Sequence, residues 1–123
     1  MALDANQLFS NAQVITASGW STNAVQVGKT PTDGLEIEVN ITAASGTTPT
    51  IDIVAYERAA DSGWATTDPK CGVLKQMTTT GRLYFRVMSK LQFVKLYATV
   101  AGTTPSFTVT AGPCTGGQRD MVA

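Results

Sequence analysis

The sequence predicts an all-β chain, a two-sheet antiparallel sandwich of jelly-roll type with about eight strands. Three observations carry that reading. Apolar residues alternate with polar ones along successive stretches, threonine is abundant, and the breaks between stretches are rich in glycine and proline. A strand turns successive side chains to opposite faces, so alternation marks one buried and one wet face. Apolar spacing of three and four residues is not sustained for more than a turn or two, so no helix is expected.

In chain order, short strands are expected at Ala12–Thr16 and Ala24–Gly28. Leu35, Ile37, Val39 and Ile41 then alternate with Glu36, Glu38, Asn40 and Thr42. Ile51 and Ile53 flank Asp52 in a strand that closes at Tyr56 and Glu57, and another short strand follows at Gly72–Met77. Leu83, Phe85 and Val87 alternate with Arg82, Tyr84 and Arg86. Val94, Leu96, Ala98 and Val100 alternate with Phe93, Lys95, Tyr97 and Thr99. Phe107, Val109 and Ala111 complete the set against Thr108 and Thr110. Threonine suits these strands because its branched β-carbon packs on a pleated surface. Ser45-Gly46-Thr47-Thr48-Pro49 and Thr78-Thr79-Thr80-Gly81 read as turns, where glycine permits positive φ and proline cannot donate to a ladder.

Two irregular features stand out. Gly46-Thr47-Thr48-Pro49-Thr50-Ile51 is echoed by Gly102-Thr103-Thr104-Pro105-Ser106-Phe107. The echo reads as a reused hairpin turn in preference to a pair of loops forming one binding end. From Arg58 to Cys71 runs a connection longer than the usual ~4–6 residues, and long loops in compact domains tend to carry function. Trp64 within it is either a partner anchor or a cap folded back on the core.

The 123 residues suit a single domain spanning 1–123, with a short leader (about 1–7) and a loose tail (about 115–123). Nine basic and nine acidic residues give no net charge. Nucleic-acid binding needs a concentrated basic surface, and only the Arg82-to-Lys95 stretch is locally basic, so it is disfavoured. No apolar run approaches the ~20 residues that span a bilayer, and the amino terminus has no signal-peptide pattern. Cys71 and Cys114 read as free thiols of a reducing compartment. Asn40-Ile41-Thr42 matches a glycosylation sequon inside an expected strand and reads as accidental.

Catalytic chemistry finds no footing. Histidine is absent, which removes the usual Ser–His and Cys–His pairs and the commonest metal ligand. The cysteines lack close-spaced partners for zinc, and no Gly-rich phosphate loop is present. Glu36 and Glu38 share an outward strand face, where solvation is the simpler reading. No enzyme activity, metal or cofactor is expected. A carbohydrate-binding module remains as a rival, with Trp20, Tyr56 and Trp64 as candidates for a sugar-stacking platform.

Leu8-Phe9-Ser10-Asn11-Ala12-Gln13-Val14-Ile15-Thr16, then Ser21-Thr22-Asn23 and Val25-Gln26-Val27-Gly28, resembles the opening of the small jelly-roll cement, or decoration, proteins of tailed-bacteriophage heads. The resemblance covers roughly the first 28 residues. It implies a structural protein of the virion, made in the bacterial host cytoplasm and carried on the outer capsid surface. There it would bridge major capsid subunits of HK97-type fold and reinforce the head. It further implies contacts with copies of itself, as a homodimer or homotrimer, and none with nucleic acid or membrane. Candidate contact residues are Leu3, Asp4 and Asn6 in the leader, Arg58, Trp64 and Lys70 around the long loop, and Arg82 and Arg86 on the basic strand face. Leu8 and Phe9 are expected in the core. The alternatives are the carbohydrate module and a low-copy tail or head-completion component.

Overall fold

Two long strands organise the chain. The computed structural model describes residues 8–26, 35–88 and 91–114; the leader residues Leu3, Asp4 and Asn6, the tail 115–123 and the end of the strand expected at Ala24–Gly28 lie outside them. In order the strands are β1 (Ser10–Ile15), β2 (Gly19–Trp20), β3 (Val25–Gln26), β4 (Leu35–Arg58), β5 (Lys70–Val73), β6 (Gly81–Val87) and β7 (Phe93–Cys114). β4 and β7 run antiparallel along their whole lengths, from Glu36 opposite Cys114 to Arg58 opposite Phe93. β1, β2 and β3 pair with β7, and β5 and β6 pair with β4. Every pairing is antiparallel, and together they form one seven-stranded sheet.

The all-β antiparallel character follows the alternation, but the number and division of strands differ from expectation. The stretches around Ile37 and Ile53 are one 24-residue strand, and those around Leu96 and Val109 are one of 22 residues. The chain bends at the repeated Gly-Thr-Thr-Pro segments instead of breaking there. These segments are therefore not hairpin turns. They face each other midway along the two strands, with Thr47 opposite Thr103 and register shifts on either side.

Bulges let a strand turn a corner without leaving its sheet. Here Gly46 and Gly102 have φ of 112° and 111°, and Thr48 and Thr104 of 46° and 47°. A β-carbon on Gly46 would stand 2.7 Å from the Thr104 carbonyl oxygen, and one on Gly102 2.7 Å from that of Thr48. Each corner threonine sits in a left-handed conformation that costs about 1–3 kcal/mol. Its hydroxyl donates to the preceding carbonyl, Thr47 O or Thr103 O, at 2.8 Å.

The corners divide the sheet into two halves. One holds β6, residues 35–45 of β4, residues 106–114 of β7, and β1; the other holds β5, residues 50–58, residues 93–101, and β2 with β3. A single cluster takes its side chains from both. Ile37, Val39, Ile41, Phe107 and Val109 come from the first half, and Ile51, Ile53, Val94 and Leu96 from the second. Both stretches of the sheet thus share one core. Phe9 is fully buried in it and Leu8 is 8% exposed at its margin, as their apolar character predicts. A buried side chain of this size contributes roughly 1.5–3 kcal/mol.

Gly46→Ala and Gly102→Ala should each lower stability by about 2 kcal/mol or more, because strained φ and a backbone clash combine. Urea unfolding of the two variants should give losses alike in size, since the two environments are nearly superimposable.

Candidate functional site

With the apolar sides of the strands gathered in the core cluster, their polar sides are left for the candidate site. The interior offers little. A cavity lined by Ser10, Ser21, Ile53 and Leu96, among others, has a volume of about 10 Å³, room for no more than a single water. Ser21 is itself satisfied there, donating to Asn23 O at 2.9 Å and accepting from Leu96 N at 3.2 Å. No group of three or more potential metal ligands occurs among the described residues.

The face of the first half-sheet is charged. Glu36, Glu38 and Asn40 of β4 stand opposite Arg86, Tyr84 and Arg82 of β6. Arg82 Nε lies 3.4 Å from Glu38 Oε2, with the arginine side chain half exposed. Glu38 was expected in solvent, yet it is only 3% exposed. Its place on an inner strand, between β6 and β7, leaves it flanked on both sides. Its Oε1 has no hydrogen-bond partner.

The face of the second half-sheet is aromatic. Trp20 on β2 packs against Tyr97 of β7 at 4.9 Å between ring centroids, against Tyr56 of β4 at 5.4 Å and against Trp64 of the loop at 5.8 Å. Lys95 Nζ stands 6.0 Å from the Trp20 ring. The first two contacts are edge-to-face, the arrangement favoured by the ring quadrupoles. Trp64 packs on Trp20 and is not part of the core cluster. It lies half-buried on an outer face, outside the core, with its indole N–H donating to Asp61 Oδ1 at 2.9 Å.

Asp68 straps the loop around Trp64. Its Oδ1 takes a 2.8 Å bond from Arg58 Nη1 and its Oδ2 one of 2.8 Å from Ala65 N. Lys70 begins β5 opposite Tyr56. The candidate residues therefore fall into two groups on different faces: Arg58, Trp64 and Lys70 around the aromatic cluster, and Arg82 and Arg86 on the charged one. Tyr97 and Lys95 were missed as members of the aromatic cluster, although their outward alternation on β7 was a usable signal.

Cys71 is a buried free thiol. Burial, then the nearby Glu57 carboxylate, push its pKa up from 9.0 to about 12, with a backbone hydrogen bond pulling the other way. Glu57 is held from the other side by Leu91 N at 3.0 Å. The thiol is therefore unreactive in the folded chain.

No protein-family model and no curated protein matches this chain. What the geometry shows is an all-β antiparallel chain that carries charged side chains on β4 and β6 and an aromatic cluster around Trp20.

Two outcomes test this description. Trp20→Ala should destabilise the domain more than Trp64→Ala, by about 1–2 kcal/mol in urea melts, because Trp20 touches three rings and Trp64 one. Because the folded pKa of Cys71 is raised, its contribution to stability is complete below pH 9 and is lost as pH climbs towards 12. Thiol titration with a disulfide reagent at pH 8 should find Cys71 silent until denaturant is added.

Proposed function

We propose that this chain is a capsid cement protein: a non-enzymatic virion component that binds the outer surface of a phage head and bridges neighbouring major capsid subunits. The observation that carries the reading is the resemblance of residues 8–28. It is supported by the architectural use of the described part of that stretch. Phe9 anchors the core, Gln13 Oε1 accepts from Thr22 N at 3.0 Å and Gln13 Nε2 donates to Trp20 O at 3.2 Å. Asn23 N donates to Phe9 O at 3.0 Å. A motif whose members hold one another in place travels with a fold.

The jelly-roll sandwich belongs to the same proposal. Counting each long strand as two at its corner, and β2 with β3 as one, gives two four-stranded layers around a shared core. Two faces of different chemistry on one stiff sheet suit a bridging role, since each contact can be modest when many copies engage together. The aromatic face, with Arg58, Trp64 and Lys70, and the charged face, with Arg82 and Arg86, supply the contacts.

A second reading, a carbohydrate-binding module, gains support from one observation: Trp20, Tyr56 and Trp64 do come together. Against it, their rings meet at steep angles and Tyr56 is 5% exposed, so they make no flat platform. Glycan binding that disappears in Trp20→Ala would favour this reading.

The decisive measurement is the copy number of the chain relative to the major capsid protein in purified virions. The cement reading expects the same order, and a dozen copies or fewer would point to a tail or head-completion component. Trp64→Ala should weaken attachment to heads by roughly tenfold, about 1.4 kcal/mol, while far-UV dichroism stays that of the folded domain.

A further inference from the structure

The pairing scheme has a second-order regularity. Residues 8–58 hold short strands followed by a long one, and residues 70–114 repeat that order. Their equivalence extends to detail. Gly46 matches Gly102 and Thr48 matches Thr104 within 1° in φ, and a β-carbon on either glycine would meet the other segment's threonine carbonyls at 2.7 and 2.9 Å. The two units thus repeat one order of strands and one corner geometry.

The short strands do not pair with their own unit's long strand. β1, β2 and β3 of the first unit lie on β7 of the second, while β5 and β6 of the second lie on β4 of the first. The bridge between Ile51 and Met77 also crosses between the units. Among the described backbone bonds, those inside a unit are isolated ones, such as Asn23 N to Phe9 O and Met88 N to Cys71 O. Each unit alone is a long strand without its neighbours. The covalent link between them is the loop 59–69, exposed over residues 59–63.

We infer that the chain is built as an exchanged pair of units made covalent, and that it accepts a second copy of itself by opening loop 59–69. Residues 8–58 of one copy then pair with residues 70–114 of the other. Complementarity is assured, because the surfaces that meet are those already joined within one chain, which makes strand exchange a low-cost route to a dimer. Loop length decides which form is taken. Eleven residues allow β4 to turn back into β5, and closure within one chain benefits from an effective concentration on the order of millimolar. This inference stands on the sheet pairing and does not depend on the cement reading.

Deleting residues 59–68 tests it on the full chain. Only Glu57, Arg58 and Pro69 then remain between the paired residues Tyr56 and Lys70. A three-residue hairpin requires a left-handed residue at its last position, where proline's φ near −65° is incompatible. The variant should elute only as a dimer, with a wild-type far-UV spectrum; a folded monomer overturns the inference. If the deletion does not fold, wild-type chain refolded from guanidinium decides. The dimer fraction should rise between about 1 µM and about 1 mM, the concentration range set by the effective molarity, and should survive later dilution. Monomer throughout, or a dimer that falls apart on dilution, overturns it.

Discussion

The structure depends on the pairing of β4 with β7 through a corner that only glycine can pass. Each long strand serves both half-sheets, so the register at Thr47 and Thr103 is the register of everything else. The glycines permit this because their backbones approach threonine carbonyls at distances that leave no room for a β-carbon. The strain of two left-handed threonines is tolerated because the strands on either side over-determine their course.

From that corner the rest follows by packing. Inward residues of both halves meet in one cluster, and the first apolar side chains of the described chain, Leu8 and Phe9, close it. The residues on the polar sides of the strands differ between the halves. One half carries carboxylates on β4 beside arginines on β6, and the other carries aromatic rings and a lysine. A common backbone plan thus presents two different chemistries.

The least regular part of the chain is also tied to this plan. Loop 59–69 is long enough to return β4 to β5, and Asp68 holds it there through Arg58 and Ala65. Trp64 is thereby laid on Trp20, which carries the loop onto the aromatic cluster. The same loop sets the strand connectivity and completes the candidate site.

Alternation of Leu35 to Ile41, and again of Val94 to Val100, was enough to determine that the chain is all-β and that Ile37, Val39, Ile41, Val94, Leu96 and Ala98 are buried. Side-chain direction in a strand is a local property with a period of two. The outward position of Lys95 and Tyr97 was legible in the same way. The burial of Glu38 was not, because it depends on neighbours that come from β6 and β7. Nor was the role of Gly-Thr-Thr-Pro. Locally it is a turn signal, and only its pairing with a second copy 56 residues later turns it into a corner. The convergence of Trp20, Tyr56, Trp64 and Tyr97 likewise belongs to the tertiary structure alone, since contacts between distant strands are set by register, and register by the one place where both long strands must bend.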